Sequence, residues 1–460
     1  MRLIRYITAL AVMSGSLTAI AQTAPDSIAY GQARQAVPMK MSRQECVRIA
    51  LETNPTIKVA DMELERVDYS KKETLAALFP TIDFSLAYQR SIELQTIKMD
   101  MGGNSQAFKM GSDNTWNMGF SASVPLVAPT LWKSLDLADT QILKTVESAR
   151  ASRLDMVDAV NRSYYALMLA LASKDVLLQN YDNAKFNADL YEKKFKVGTA
   201  SEYDVLRSSV QVKNIEPELL QADIAVKQAE LQLKMLMGMD SGVTVRPDVT
   251  LEDMQHDMTA YVLSVDSDLR DNTSLRSLDL DTKLLSQTVE MKKRAFIPTV
   301  AATFNLAWSS LSNGNMFKNI DLNPYSTVGI SVSVPLFSGG SRYYGLKGAQ
   351  TQLAEMKFQR ENLVRNLNMQ VELAKDNISR ELKQIDANAE SVRQAVKAHE
   401  IMQKSFEIGA GTFLDLRDSE LAETRARLAY YQAIYNYLVS TSELQLLLGR
   451  GLPETNVVTQ

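Results

Sequence analysis

The sequence predicts a mixed fold class, in which β-strands of a membrane barrel are joined to α-helices far longer than those of a globular domain. Four segments of about ten residues alternate apolar and polar side chains almost without error, as the strands of a membrane barrel do. Helix-patterned sequence of unusual length lies beside each pair of segments. The N-terminus has the pattern of an export signal. These three observations predict a chain that is exported and ends in a membrane.

We expect residues 1–21 to be a secretory signal peptide. Arg2 and Arg5 precede an apolar run over residues 7–20, and a cleavage site of small residues ends at Ala21. An uncleaved membrane anchor is the alternative, but the run is short for a spanning helix. No later run approaches that length. Because lipid does not tolerate unpaired backbone polar groups, a closed β-barrel is the structure expected in the membrane.

Each alternating segment places its large apolar side chains on one face of a strand. The polar positions between them are small and uncharged, apart from Asp83. A half-buried sheet of a soluble protein is the alternative, but aromatic residues gather near the segment ends, as they do at a lipid interface. The apolar positions are Ile82, Phe84, Leu86 and Tyr88; Trp116, Met118, Phe120, Val124 and Leu126; Val300, Phe304, Leu306 and Trp308; and Val328, Ile330, Val332 and Val334.

The chain repeats itself once, in the same order and with nearly constant spacing. This pattern predicts an internal tandem duplication, with a first structural repeat over residues 22–240 and a second over 267–449. The motifs that return are Phe79-Pro80-Thr81-Ile82 as Ile297-Pro298-Thr299-Val300, Ser123-Val124-Pro125-Leu126 as Ser333-Val334-Pro335-Leu336, and Phe195-x-x-Gly198 as Phe406-x-x-Gly409.

Each repeat is expected to run as a helix, a hairpin of two strands, a very long helix, a turn and another helix. The hairpins are predicted at 80–128 and 297–338, with exposed loops at the Gly- and Asn-rich stretches inside them. Residues 241–266 form a connector between the repeats, and 450–460 form a C-terminal tail. The helices are predicted near residues 41–78, 131–196 and 202–237, and near 267–295, 341–407 and 413–448.

The helix predicted from Leu131 is too long for a bilayer. About 66 residues at 1.5 Å each would span about 100 Å, which is several times the thickness of a bilayer core. We therefore expect this helix to extend into the periplasm. Apolar residues recur along it at a seven-residue step, which predicts packing against other helices and leaves polar surface for water. A plain coiled-coil rod is the alternative interpretation of this helix taken alone.

The composition argues against several function classes. A net charge of −4 argues against a nucleic-acid surface. Cys46 is the only cysteine, and His256 and His399 are the only histidines, so neither a disulfide nor a metal site is expected. The sequence contains no phosphate-binding loop and no nucleophile with its base. We therefore expect no enzyme activity and no cofactor.

Four strands per chain cannot close a membrane barrel, because the smallest barrels have about eight. The barrel must be shared between chains, and geometry alone permits two, three or four protomers. The duplicated strand and helix plan, the Ser-Val-Pro-Leu-Phe-Ser-Gly-Gly run at 333–340 and the two Phe-x-x-Gly turns resemble the TolC-like outer-membrane efflux proteins. The resemblance covers nearly the whole mature chain.

The resemblance implies a homotrimer in the lipid of the outer membrane. Twelve antiparallel strands, four from each protomer, would form one barrel that continues as a periplasmic α-helical barrel. Residues 241–266 would lie in an equatorial belt, with an ordinary linker as the alternative. The implied function is a passive export duct of a tripartite efflux or type I secretion system, coupled through a periplasmic adaptor to an inner-membrane pump of the RND or ABC type. A periplasmic structural coiled coil with a soluble sheet is the alternative function.

Two glycines interrupt the long helices, and each supplies the left-handed backbone with which a helix can end and reverse. The second turn departs from the family pattern, because Gly411 stands where an Arg often holds the mouth closed and Phe406 stands where a Tyr is common. We therefore expect a different or weaker latch. The resemblance places both turns at the periplasmic mouth, where the adaptor would dock on Val197, Gly198 and Thr199 and on Ile408, Gly409 and Ala410.

Two carboxylates, Asp415 and Asp418, lie three residues apart and therefore on one face of a helix. Capping is one interpretation, because acidic residues are favoured in the first turn of a helix. The resemblance favours another, in which three chains stack two carboxylate rings at the constriction of the tunnel and attract cations. The first repeat has Asp204 at the position of Asp415, but Arg207 at the position of Asp418.

Overall fold

The computed structural model describes residues 39–101, 104–240, 242–254, 268–315 and 320–452 of the 460-residue chain. The predicted signal peptide lies outside the described residues. So do residues 255–266 of the predicted connector and most of the C-terminal tail. In the described part of the chain, no helix is both long enough and apolar enough to cross a bilayer.

The described residues form a membrane-type sheet and a set of long and short helices. In chain order the elements are β1 (Met39–Met41), α1 (Arg43–Thr53), α2 (Pro55–Ala76), β2 (Thr81–Arg90), β3 (Gln95–Met101), β4 (Asn104–Met110), β5 (Asn114–Val127), α3 (Pro129–Lys196), α4 (Glu202–Met237), β6 (Val245–Pro247), α5 (Thr273–Arg294), β7 (Thr299–Ser312), β8 (Asn323–Ser333), α6 (Ser341–Glu407) and α7 (Phe413–Leu447).

Four strands form one antiparallel sheet in the order β2-β5-β7-β8. Thr81 pairs with Ser123, and Thr299 pairs with Ser333. The four predicted strands are confirmed, and the strand bounds differ from the predicted alternation by a few residues. Among the described residues, β2 pairs only with β5 and β8 only with β7, so the sheet has two open edges.

The two faces of this sheet differ in chemistry. The apolar side chains share one face, and that face is exposed: Ile82 on β2 is 72% exposed and Ile330 on β8 is 71% exposed. On the other face, Ser309 Oγ donates a hydrogen bond to Asn117 Oδ1 at 2.9 Å. An apolar face of this extent needs an apolar environment, and lipid provides one.

The first strand hairpin contains more structure than the sequence predicted. Two further strands, β3 and β4, pair with each other from Gln95 and Met110 to Met101 and Asn104. The prediction of a plain exposed loop is therefore wrong for this stretch. The sequence at 102–103 is Gly-Gly, a pair from which two flanking strands could have been predicted.

Two predicted helices begin or break at an Asn that the periodicity did not reveal. The helix predicted over 41–78 is two helices, because the side-chain oxygen of Asn54 caps α2 and Pro55 occupies its first position. The helix predicted over 267–295 begins at Thr273, after Asn272 caps it in the same way. The first prediction missed the break at Asn54, and the second placed the start of a helix that is present about six residues too early.

The two longest helices, α3 and α6, have 68 and 67 residues and reach about 100 Å. Helix α3 forms an antiparallel hairpin with α4, and α6 forms one with α7. Helix α3 also contacts α2, α5 and α7. Of its predicted seven-residue stripe, Ala149, Met156, Ala184 and Tyr191 are buried. Helices α2, α4, α5 and α7 are therefore arranged around α3, and α6 packs on α5 and α7.

Each helical hairpin is attached to the start of a short helix at a contact that we call a joint. In the first joint, Asn54 Nδ2 donates to the carbonyl oxygen of Leu236, near the end of α4, at 2.7 Å. In the second joint, Asn272 Nδ2 donates to the carbonyl oxygen of Leu447, at the end of α7, at 2.7 Å.

The hydrophobic core surrounds the middle of α3. Tyr164 is fully buried there, and its hydroxyl lies 3.1 Å from the carbonyl oxygen of Met41 and 3.0 Å from Asp248 Oδ1. Burial raises the pKa of the Tyr164 hydroxyl, and the Asp248 carboxylate adds to the rise. Beside it, β1 and β6 pair in parallel, with Met39 opposite Val245. The described part of the connector is therefore held at the middle of the long helices.

Candidate functional site at the helix-reversal turns

Helix α3 ends in a Schellman turn at Gly198, which has a φ of 77°. The Gly198 N–H donates to the carbonyl oxygen of Phe195 at 2.9 Å, and the Thr199 N–H donates to that of Lys194 at 2.8 Å. These bonds satisfy two carbonyls that the helix end would otherwise leave open. Val197 in the same turn is 73% exposed. The turn therefore presents an apolar side chain to its surroundings.

Helix α6 ends in the same way at Gly409, which has a φ of 78°. The Gly409 N–H donates to the carbonyl oxygen of Phe406 at 3.1 Å, and the Ala410 N–H donates to that of Ser405 at 2.8 Å. Ile408 is 80% exposed. The two turns thus share both their backbone and an exposed apolar residue at the same position.

Gly411 makes the second turn tighter than the first. Its N–H donates to the carbonyl oxygen of Ser405 at 3.0 Å, so that carbonyl accepts from two successive N–H groups. A Cβ atom at position 411 would lie 3.2 Å from the Phe406 nitrogen and 3.3 Å from the Ser405 Cβ. A side chain in place of Gly411 would therefore require the end of α6 to shift.

A capping box opens each of the two returning helices. The Asp204 N–H donates to Ser201 Oγ at 3.2 Å, and the Ser201 N–H donates to Asp204 Oδ2 at 3.2 Å. Thr412 and Asp415 form the same two bonds at 3.2 and 3.3 Å. Each carboxylate uses its Oδ2 atom for the box; Asp415 remains exposed, and Asp204 is partly buried.

Asp418 lies one turn further along α7 and is exposed. Its Oδ1 accepts a hydrogen bond from Arg417 Nη2 at 3.2 Å, and exposed pairs of this kind contribute little stability. At the matching position of the first hairpin, the Arg207 guanidinium carbon lies 5.6 Å from the ring centroid of Phe413. Only the second hairpin therefore has an Asp at both of these positions, whereas the first has Glu202 and Asp204 in the first turn of its helix.

An aromatic cluster, which we call the tip cluster, joins the two hairpins beside the turns. The Tyr191 ring of α3 lies 6.0 Å from the ring of Phe406 and 5.3 Å from that of Phe413. Lys194 Nζ lies 5.3 Å from the Phe406 ring centroid, and Arg207 of α4 lies over Phe413. All four long-hairpin helices therefore meet there, which places the two turns side by side.

The tip cluster was not predicted from the sequence. Phe406 belongs to the repeated Phe-x-x-Gly motif and departs from a family pattern, and Tyr191 lies in the predicted stripe of α3, but neither pattern indicates that the two rings meet. The one local signal was Phe413, an aromatic residue directly after the capping residue Thr412, where it starts a helix at a chain reversal.

The chemistry of this end suits binding and electrostatic selection. Burial raises the pKa of the Tyr191 hydroxyl, the Asp204 carboxylate raises it further, and the Arg207 guanidinium opposes the rise. Among the described residues, no group of three or more His, Cys, Asp or Glu side chains is placed to hold a metal ion. Exposed carboxylates and exposed apolar turn residues remain as the groups that a solute or a protein could meet.

Comparisons with known proteins give consistent results. A family model described as outer membrane efflux protein matches residues 46–239 and 265–450. Outer membrane protein TolC of Escherichia coli is 22% identical over 372 residues, which cover 74% of this chain and 73% of TolC. The alkaline protease secretion protein AprF of Pseudomonas aeruginosa is 23% identical over 414 residues, which cover 87% of this chain and 83% of AprF.

The fold is also similar to that of solved channels. The open state of the Neisseria gonorrhoeae MtrE outer membrane channel superposes with a TM-score of 0.69 at 18% sequence identity. The match covers 94% of this chain and 96% of the MtrE chain. At this identity, the likeness concerns the fold.

Proposed function

The chain belongs to the outer membrane efflux protein family, and from this membership we propose that three copies form one duct through the outer membrane and the periplasm. The family consists of transport channels and not of enzymes, so the chain is an outer-membrane duct for efflux or secretion, and its long helices extend into the periplasm. The proposal concerns how the protomers assemble and what the tip of the duct does.

The observation that carries the proposal is the open four-stranded sheet with an exposed apolar face. Open edges are not tolerated in lipid, because their backbone N–H and C=O groups would have no partners. Pairing β8 of one protomer with β2 of the next removes every edge, and three protomers give a barrel of twelve strands. The apolar face, with Ile82 and Ile330, then faces lipid.

The helices also present surfaces that a neighbouring protomer would cover. On α4, Val210, Ile224 and Leu231 are 57%, 50% and 42% exposed and are spaced by multiples of seven residues. Such a stripe of large apolar side chains on a single helix is typical of a helix contact. We assign it to the contact between protomers in the periplasmic part of the duct.

The two turns form the periplasmic end of this duct in our proposal, and a periplasmic adaptor docks on them. Val197 and Ile408 support this assignment, because each turn exposes one large apolar side chain next to a rigid glycine turn. The adaptor connects the duct to an inner-membrane pump of the RND or ABC type, which supplies the energy.

We further propose that Asp415 and Asp418 line the constriction at this end, with Asp204 nearby. Asp415 and Asp418 are exposed, Asp204 is partly buried, and all three lie in the first or second turn of a helix that starts at the tip. Three copies of each residue would form carboxylate rings in a narrow pore, and such rings attract cations and repel anions.

The two halves of the chain act as repeats in this arrangement. We propose that residues 22–240 and 267–449 arose by tandem duplication and that the connector 241–266 contributes to an equatorial belt. The order of helices and strands from α2 to α4 and from α5 to α7 supports this interpretation, since the two halves differ mainly by the β3–β4 hairpin.

Imaging the detergent-extracted protein as single particles tests the proposal. We expect a threefold tube with a short barrel and a helical extension of about 100 Å. A twofold or fourfold particle would exclude the trimer, and a compact particle that needs no detergent would exclude the duct. Two variants of β8 provide a matched comparison: Ile330→Lys puts a charge on the lipid face and should abolish recovery from the outer membrane, whereas Ser331→Lys puts it on the other face and should not.

A further inference from the structure

A buried polar layer crosses the two hairpins about 15 Å from Gly409, measured along the helix at 1.5 Å per residue. His399 of α6 is its central residue, with a side chain that is 14% exposed. Its Nδ1 lies 2.6 Å from Glu423 Oε2, and its Nε2 lies 3.8 Å from Glu420 Oε1. Both carboxylates belong to α7. The imidazole therefore lies between two acids, one at each ring nitrogen.

The layer also connects the two hairpins. Asn187 of α3 donates from Nδ2 to Glu420 Oε1 at 3.4 Å, so Glu420 is in contact with both hairpins. On the other side, Arg427 Nε donates to Glu423 Oε1 at 2.8 Å. A change in the charge of His399 or Glu420 therefore acts on the contact between α7 and α3.

The ring nitrogens of His399 differ in what they require. Nδ1 is close enough to Glu423 to donate its proton in both the neutral and the charged imidazole. Nε2 faces Glu420, and in the neutral imidazole it presents a lone pair toward a carboxylate. A favourable contact at this point requires one proton, carried either by Nε2 or by Glu420. Burial raises the pKa of Glu420, which favours retention of that proton.

Of the described residues that line the cavity beside the layer, none besides His399 and Arg427 can carry a positive charge that would compensate for the loss of the proton. A cavity of about 200 Å³ adjoins the layer, and its α3 wall is formed by the amides Gln179, Asn180 and Asn183 and by Val176. The α6 wall adds Glu400, a further acid. With the proton, the charges of His399, Arg427 and the two facing acids balance. Without it, one negative charge is left uncompensated in a partly buried place.

The first hairpin has no such layer. Counted from the turn glycines, the positions of His399, Glu420 and Glu423 correspond to Ala188, Ser209 and Val212. None of these residues titrates. The titratable layer is therefore confined to the second hairpin, which also carries both Asp415 and Asp418.

We propose that the His399–Glu420 pair is a proton-dependent contact that holds the α6–α7 hairpin against α3 in acid and releases it as the pH rises. Within the duct proposed above, on which this consequence rests, the release loosens the periplasmic end of the second hairpin.

Solid-state NMR of protein labelled with ¹⁵N-histidine tests the protonation directly. The variant His256→Asn leaves His399 as the one labelled residue. We expect the neutral ring to carry its proton on Nδ1, and Glu420→Gln to lower the titration midpoint by about one pH unit. Glu400→Gln, in the same cavity wall, should leave the midpoint nearly unchanged. A neutral ring protonated on Nε2, or equal midpoints in the protein with and without Glu420→Gln, would overturn the proposal.

Spin labels test the release itself. In a Cys46→Ala background, Lys185→Cys on α3 and Lys404→Cys on α6 give two exposed sites, and dilution with unlabelled protomers limits the distances to one chain. We expect longer distances at about pH 8 than at about pH 5.5, and no pH dependence after His399→Gln. Equal distances at both pH values in the unsubstituted layer would overturn the proposal. Neither measurement requires a conducting pore. If the duct proposal itself were wrong, this would be seen separately, as absence of conductance in planar bilayers.

Discussion

The two reversal turns have nearly the same backbone but different side chains. Gly198 and Gly409 differ by one degree in φ, and each is followed by a capping box with its Asp at the third helical position. Around this common frame, the first turn has Arg207 where the second has Asp418. Reversal of the helix therefore requires the glycine and the capping residues. The neighbouring positions can vary, and their side chains can serve a function.

The two joints extend this comparison to the other end of α4 and α7. Asn54 and Asn272 make the same pair of bonds, one to the start of a short helix and one to the end of a long one. The second joint has an additional contact: Arg150 Nη2 donates to the carbonyl oxygens of Asp271 at 3.0 Å and Gly449 at 2.7 Å. The first joint has a side-chain contact of its own, from Thr53 Oγ1 to the carbonyl oxygen of Met237, whereas the Arg150 contact ties the second joint to α3.

The largest expected effect is at Gly449. A Cβ atom there would lie 1.8 Å from the Asp271 carbonyl oxygen, whereas at Gly238, the glycine of the first joint, it would lie 3.3 Å from the Thr53 carbonyl oxygen. Both glycines have positive φ. We expect Gly449→Ala to cost about 3 kcal/mol or more and Gly238→Ala about 1 kcal/mol.

Loss of helical circular dichroism on heating measures this difference. The Gly238→Ala protein is the matched control, because it has the same positive-φ strain without the backbone collision. Equal midpoints of thermal unfolding for the two variants would show that the second joint can open to accommodate the Cβ atom. That result would contradict the restraint that we infer from the Arg150 hydrogen bonds.

The next effect is smaller and should be the same in both joints. Asn54→Ala and Asn272→Ala each remove a helix cap and a donor to a helix-end carbonyl, so we expect each to cost about 1–2 kcal/mol. The same heating experiment measures both. A cost confined to one of the two Asn residues would contradict their equivalence.

The smallest effect concerns the charge at the tip. We expect Asp415→Asn combined with Asp418→Asn to lower the preference for cations in planar bilayers by about twofold, since exposed charges act on the order of a few tenths of a kcal/mol. Asp204→Asn is the comparison variant, because it weakens the equivalent capping box of the first turn and removes one carboxylate instead of two, so it should lower the preference less. An equal change in selectivity for both proteins would reduce Asp415 and Asp418 to capping residues.

The strands and turns could be predicted because their signals are local. Alternation with a period of two defined the four strands, since a shift by one residue would put every apolar side chain on the wrong face. The turns at Gly198 and Gly409 could be predicted from a glycine that interrupts a helical pattern. Asn54 and Pro55 were an equally local signal for a helix start, but the apolar periodicity on both sides concealed the break.

The tip cluster and the His399 layer could not be predicted in this way. Tyr191 and Phe406 are more than 200 residues apart, and so are Asn187 and Glu420. No period or motif relates such positions, because their contact exists only after the two hairpins pack together. From the sequence, His399 was simply one of two isolated histidines.

The open edges of the sheet have a genetic consequence. In the ring of three protomers that we propose, one chain with a blocked β2 or β8 edge would leave the ring unclosed, even when the other two chains are normal. If a cell makes normal and blocked chains in equal amounts and they mix at random, only about one ring in eight contains no blocked chain. An allele that blocks either edge would therefore be dominant over the normal allele.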